Sequence, residues 1–305
     1  MSLLKNNIYN ELSKVIKAEN LKKDEKMSAH TTLGVGGCAS IFVEPSTEEE
    51  IVEVVKIAKR NNIKTYIIGR GSNLLVSDEG LDGIVIKIAD KFSSVTINED
   101  SMVVKSGAPI ASIAKLAMRN SLSGLEFASG IPGTVGGAIA MNAGAYGGEV
   151  KDIVEWVNVI KEDGSIEKIH NKDMKFSYRR SLLTEKNKWI VLSVKINLKK
   201  GKQSDILKEM ISRNEKRVIS QPLEKNNCGS TFKRPEGHFA GKLIEDCGLK
   251  GFEYNGVEIS SKHAGFIVNN GKSTAKDMLH VIEVAKKAVK DKFGIILEEE
   301  VKILK

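Results

Sequence analysis

Residues 129–147 read Ser129-Gly130-Ile131-Pro132-Gly133-Thr134-Val135-Gly136-Gly137-Ala138-Ile139-Ala140-Met141-Asn142-Ala143-Gly144-Ala145-Tyr146-Gly147. They belong to a stretch, residues 127–148, that is 22 residues long and carries no charge. A membrane helix needs about 20 apolar residues, so the length alone would allow a span. The composition does not: there are seven glycines, Pro132 and Asn142, with few large side chains. Each glycine weakens a helix by about 1 kcal/mol relative to alanine. The stretch therefore reads as a small-residue loop whose backbone comes close to something.

The rest of the chain frames that loop. Its 305 residues allow about two domains. Apolar residues make up 41% and charged residues 28%, a globular balance that excludes disordered and fibrous classes. Lys and Arg number 47 against 39 Asp and Glu, a surplus of 47 − 39 = 8 that suits anionic partners. Cys38, Cys228 and Cys247 have no CxxC spacing and read as reduced thiols of a cytosolic protein. The five His residues form no metal-ligand pattern, so no metal is expected. Leu3, Leu4, Ile8, Leu12, Val15 and Ile16 are spaced as an amphipathic helix, not as a signal peptide.

Element signals alternate between helix and strand. Thr47 and Glu50 form a capping-box pattern ahead of Ile51, Val54, Val55 and Ala58. Strands are expected at 65–68, 83–88 and 102–105. Pro109 opens a helix carrying Ile110, Ile113, Ala114 and Ala117. Segments 153–161 and 165–170 flank Asp163-Gly164, a hairpin signal. A strand at 189–198 precedes a basic, linker-like stretch at 199–204 and a helix with Ile206, Leu207, Met210 and Ile211. A second boundary falls at Pro222, and a helix is expected to end near Cys247-Gly248. After a strand at 265–268, Thr274 and Asp277 cap a long helix that Gly294 stops, and a strand at 300–304 follows.

A second glycine loop, Gly69-Arg70-Gly71-Ser72-Asn73-Leu74, follows the strand at 65–68. It is no dinucleotide fingerprint, because a strand follows where that motif needs a helix. Gly265 and Gly271-Lys272-Ser273 are one residue too far apart for a P-loop and read as a strand running into a capped helix. Either glycine loop alone reads as tight turns and close strand packing; two of them with Ser and Asn donors point instead to backbone N–H groups aimed at a bound diphosphate. Tyr178-Arg179-Arg180-Ser181 offers paired guanidinium groups that could clamp a carboxylate or phosphate or be plain surface charge. Residues 227–235 are small, polar and cationic, an active-site loop or an ordinary turn. Ser230 lacks a nucleophile elbow, and no nearby base nominates Cys228. Strand alternation makes Glu300 a surface acid.

Taken in order, several segments resemble one family: His30-Thr31-Thr32 with Gly36-Gly37, the 69–74 loop, the 129–148 loop, Phe176-x-Tyr178-Arg179-x-Ser181, Gly229-Ser230-x-Phe232-Lys233 and Leu297-Glu298-x-Glu300-Val301. The series resembles the UDP-N-acetylenolpyruvoylglucosamine reductases, the MurB flavoenzymes, from about residue 28 onward. The 51 residues from Arg179 to Ser230 are too few for the substrate-clamping insertion of the longer family form, so the chain resembles the short, type II form.

The resemblance implies an α+β fold: a two-lobed FAD-binding region of the PCMH/VAO-like type at 1–204, with lobes near 1–90 and 91–204, then a smaller α+β substrate domain at 205–298. The strand at 299–305 could return to the first region. It implies non-covalent FAD, NADPH as hydride donor, and reduction of the enolpyruvyl ether of a UDP-sugar in cytoplasmic peptidoglycan precursor synthesis. Cofactor contacts would come from Gly69, Arg70, Gly71, Ser72, Asn73 and Leu74. Others would come from Ser129, Gly130, Ile131, Pro132, Gly133, Val135, Gly136, Gly137, Asn142, Ala143, Gly144, Ala145 and Gly147. By motif position, Arg179, Ser230 and Glu300 match the family's catalytic residues. Tyr178, Lys233, Arg234 and His263 are substrate candidates. No nucleic-acid or membrane partner is implied, and a monomer is slightly favoured.

Overall fold

The computed structural model describes residues 3–305, with side chains from Lys5 onward. Its contacts group the chain into two units. The first comprises residues up to Asp24, Ser40–Arg70 and Asp82–Glu215; the second comprises Glu25–Ala39, Gly71–Leu81 and Lys216–Lys305. The expected regions, 1–204, to which 299–305 could return, and then 205–298, are drawn differently from these units, which interleave. Each unit mixes helices with sheet, so the fold is α+β.

The first unit is built on two cores. In one, Ile8, Leu12, Ile51, Val54 and Ala58 are buried with Ile41, Val43, Ile84 and Ile86. The first five come from the helices Leu3–Leu12 and Glu48–Arg60, and the other four from strands. The expected capping box is present, with Thr47 Oγ1 accepting from Glu50 N–H and the Glu50 carboxylate accepting from Thr47 N–H. The four-stranded sheet here runs Leu21–Lys26, Cys38–Val43, Leu81–Lys87, Thr65–Ile68, and its last two strands are parallel. The expected strand at 65–68 is found within those bounds.

The other core lies on an antiparallel sheet ordered Ile166–His170, Val154–Ile160, Ile190–Asn197, Ser101–Lys105, Val95–Asn98. The expected hairpin closes with Ile160 opposite Ile166 around Asp163-Gly164. Residues 199–200 are not linker but a short strand paired with Leu122–Ser123. The helix Gln203–Ser220 buries Ile206 and Met210 and leaves Leu207 and Ile211 exposed.

The glycine-rich stretch is more ordered than a loop. Val135–Ala140 is helical, and Gly144–Ala145 pairs with Gly148–Glu149. Two glycines oppose a helix there, and tertiary contacts override them. Val135 and Gly136 donate to the carbonyls of Ala108 and Ser106 at 2.9 and 2.8 Å, and Val135, Ala138 and Ile139 are buried.

The second unit packs the helices Ala240–Asp246 and Ala275–Phe293 with an antiparallel sheet ordered Asn226–Asn227, Ile267–Asn269, Val257–Ile259, Glu253–Tyr254. Thr274 and Asp277 form the expected box, and Gly294 ends the long helix with φ 71°. Met278, Val281, Ile282, Ala285 and Val289 point into a core shared with Leu33, Leu75, Phe232 and Val301. The last strand, Lys302–Leu304, pairs in parallel with Leu74–Val76.

Candidate functional site

In the first unit the two glycine-rich segments meet. A Cβ on Gly69 would lie 2.6 Å from Thr134 Oγ1, so glycine leaves the room that the buried Thr134 side chain fills. Thr134 Oγ1 accepts from Gly137 N–H at 3.2 Å and caps the short helix. Among the described residues, no hydrogen bond uses the amides of Arg70, Gly130, Gly133 or Thr134. Thr134 is buried, and a buried N–H without an acceptor calls for an oxygen from elsewhere. Phosphate oxygens meet that demand. The Arg70 guanidinium is engaged with both carboxylate oxygens of Asp90, at 2.7 and 3.0 Å.

The second unit continues the same segment. Gly71 has φ +66°, and a Cβ there would lie 1.9 Å from the His30 carbonyl oxygen. Its own carbonyl accepts from Thr32 N–H at 3.2 Å. The amides of Gly71 and Ser72 are likewise unused among the described residues, and Thr32 Oγ1 is buried without a partner. Each segment, taken by itself, thus offers donors to acceptor oxygens such as those of a phosphate.

Asn142 is fully buried at φ +42°, and its side chain is committed to protein. Its Nδ2 donates to Glu149 Oε2 at 3.0 Å and to the Ser177 carbonyl at 3.1 Å, while Oδ1 accepts from Lys151 N–H at 3.0 Å. Lys151, 2.7 Å from Glu149, holds that carboxylate below its ordinary pKa, helped by Asn142 and the field of Arg179. Ser177 and Arg180 exchange both backbone hydrogen bonds at 3.1 Å, closing a two-residue turn over Tyr178 and Arg179. Arg179 takes the left-handed position, φ +55°, where turns of this shape favour glycine. Its Nη1 donates to the Gly144 carbonyl at 3.4 Å, and its guanidinium lies 5.2 Å from the Tyr178 ring.

The segments that carry Ser230 and Glu300 are joined through their backbones in the second unit. Phe232 and Glu299 form an antiparallel bridge. Between these neighbours stands Thr231, whose carbonyl accepts from Glu300 N–H at 2.8 Å. Thr231 is buried; its N–H donates to Gly265 at 2.9 Å and its Oγ1 accepts from Ile267 N–H at 3.2 Å. Ser230 is exposed, and Glu300 is half-buried. Glu300 is close enough that its charge adds to burial in pushing the Cys228 thiol up to about 12. Cys228 is therefore no thiolate nucleophile.

The four substrate candidates have mixed settings. Tyr178 is exposed beside Arg179. Lys233 Nζ lies 2.8 Å from Glu298. The Arg234 guanidinium lies 4.6 Å from the Phe239 ring. His263 Nδ1 accepts from Gly265 N–H at 3.0 Å, and burial lowers its pKa. Three structurally central residues were missed in the sequence: Thr134, Thr231 and Glu149. Only Thr134 left a signal, a threonine at a cap position before Val135. Among the described residues there is no acidic, His and Cys cluster fit for a metal, and no helix long and apolar enough to cross a membrane.

Residues 39–170 match the family described as FAD binding domain. Together with the paired glycine segments, this defines the chain as an α+β flavoprotein that binds FAD. Residues 221–304 match the family UDP-N-acetylenolpyruvoylglucosamine reductase, C-terminal domain. The chain is 48% identical over 297 residues to the UDP-N-acetylenolpyruvoylglucosamine reductase of Clostridioides difficile, covering 97% of each chain. It is 44% identical to that of Caldanaerobacter subterraneus subsp. tengcongensis, covering 97% of this chain and 98% of the relative. The crystal structure of UDP-N-acetylenolpyruvylglucosamine reductase (MurB) from Thermus caldophilus aligns with TM-score 0.80 and 36% identity, over 92% of this chain and 97% of that one. The chain belongs to the UDP-N-acetylenolpyruvoylglucosamine reductase (MurB) family.

Proposed function

We propose that this chain carries out its family's reaction: NADPH-driven, FAD-dependent reduction of the enolpyruvyl ether of UDP-N-acetylglucosamine-enolpyruvate to UDP-N-acetylmuramate, in cytoplasmic peptidoglycan precursor synthesis. The observation that supports it most is the close packing of Gly69 on Thr134, with unspent amides beside it, in a region that matches an FAD binding domain. When bound, FAD carries a hydride from NADPH to the substrate.

The roles of individual residues follow from that chemistry. The unspent amides at 70, 130, 133 and 134 of the first unit, and those at 71 and 72 of the second, would each donate to acceptor oxygens of the cofactor. The Asn142 side chain acts as a scaffold, tying the Ser177 carbonyl to the 142–151 segment and so setting the Arg179 turn. Hydride arrival at carbon 3 of the enolpyruvyl group leaves negative charge at carbon 2, shared with the carboxylate. Arg179 supplies a permanent cation to that charge, and Glu300, when protonated, a second donor. Ser230 delivers a proton to carbon 2. A serine is a weak acid and needs positive neighbours, and Lys233, three residues on, is the local one. Tyr178, Arg234 and His263 remain the candidates for the UDP-sugar.

The purified protein should be yellow, bleach on anaerobic NADPH addition, and regain colour when the enolpyruvyl UDP-sugar is added. A colourless protein that takes up no added FAD overturns the reading.

A further inference from the structure

We infer that Asn73 is a positioning residue for Glu300, joining the segment that would hold FAD to the stretch, just ahead of the last strand, that carries the catalytic carboxylate; this rests on the function proposed above. The geometry is a bracket. Asn73 Nδ2 donates to the Glu300 carbonyl at 3.0 Å, across 227 residues of sequence. The Asn73 carbonyl accepts from Lys302 N–H at 2.9 Å, two residues further on. From Leu74 and Lys302 onward the two segments run as parallel strands.

The opposite edge of Glu300 is also held. Its N–H donates to the Thr231 carbonyl, so both of its backbone polar groups are spent on named partners. With N–H and carbonyl both fixed, the Cα–Cβ direction of Glu300 is fixed too, and only side-chain torsions are left to place the carboxylate. Of the two clamps, Thr231 holds Glu300 through its main-chain carbonyl. Asn73 acts through its side chain, and a small amide donor is what the contact needs.

The same residue belongs to the 69–74 segment, where Gly71 and Ser72 carry unspent amides. A ligand that engages those amides orders Asn73, and Asn73 then orders residues 299–302. Loss of the Asn73 side-chain amide leaves the main-chain amides of Gly71 and Ser72 in place to hold the cofactor, but its ordering should no longer be transmitted. The reaction step that uses Glu300 then suffers more than the step that does not, because small misplacements of a catalytic group are costly.

The test compares wild type with Asn73→Ala and with the near-isosteric Asn73→Asp, each stripped of FAD and then saturated with it. FAD uptake is followed by flavin absorbance, and amide hydrogen exchange by mass spectrometry of peptides covering 69–74 and 299–305. In wild type, FAD should slow exchange in both peptides, by roughly tenfold at 299–305, the scale of one net hydrogen bond. In the variants, slowing should persist at 69–74 and largely vanish at 299–305. In rapid mixing, flavin re-oxidation by the enolpyruvyl substrate should fall roughly tenfold or more relative to flavin reduction by NADPH. FAD uptake by wild type with unchanged exchange at 299–305 overturns the inference and leaves the function standing. This arm needs no variant to fold. No FAD uptake by wild type overturns the function, and the inference with it. A variant that keeps the wild-type ratio of the two half-reactions also overturns the inference.

Discussion

The carbonyl of Thr231 accepts the N–H of Glu300 at 2.8 Å while its side-chain Oγ1 accepts the N–H of Ile267 at 3.2 Å. One buried residue therefore joins the 229–233 segment, the sheet of the second unit and the C-terminal strand. Thr231→Val keeps the shape and removes the Oγ1 acceptor, leaving the Ile267 amide unpaired in the interior. We expect a loss of about 1–3 kcal/mol in urea unfolding. Turnover should fall with it, because Ser230 precedes the altered residue.

Ser230→Ala separates the two halves of the reaction. Flavin reduction by NADPH should survive, while substrate-driven re-oxidation falls roughly 10²–10⁴-fold, the range for a lost general acid. Equal rates in both halves would remove Ser230 from proton delivery.

Arg179→Gly should uncouple stability from activity. The left-handed φ of +55° strains an arginine and suits a glycine. The variant should unfold no earlier than wild type, gaining up to about 1 kcal/mol, while turnover drops roughly 10²–10³-fold. Thermal melts beside steady-state rates would check it.

Glu258 makes an acid-labile contribution to stability. Burial pushes its pKa up, but Lys225, the Ser261 N–H at 3.0 Å and Asn270 Nδ2 at 3.2 Å outweigh this and hold it at about 2, below an ordinary 4.5. A depressed folded-state pKa stabilises the fold above the unfolded value and is lost as pH falls from about 4.5 towards 2. The effect should be on the order of 3 kcal/mol. Glu258→Gln should be less stable at pH 7 and show a flatter decline between pH 5 and 2 in denaturant titrations.

Much of the local architecture was legible in the sequence, because its causes are local. The Thr47 and Thr274 boxes, the Asp163-Gly164 hairpin and the strand at 65–68 depend on residues within a few positions of one another. What was misread depends on distant partners. The helix Val135–Ala140 is held by carbonyls at 106 and 108, which no propensity can report. Alternation put Glu300 opposite the buried Val301, and its side chain is half-exposed, but the backbone bonds from Thr231 and Asn73 come from far away in the chain and left no local signal. Leu207 and Ile211 fit a helical stripe but face outward, since period alone does not say which apolar residues find a partner.

The parallel pairing of residues 302–304 with 74–76 also bears on synthesis. Until the ribosome has delivered the final strand, the segment at 74–76 lacks that neighbour, and the second unit cannot close even though its earliest contributions were made near residue 25. Assembly of that unit therefore waits on a pairing across more than 220 residues and is dominated by long loop closure, which slows folding. A nascent chain stalled before residue 302 would present an open strand edge to chaperones and to other chains.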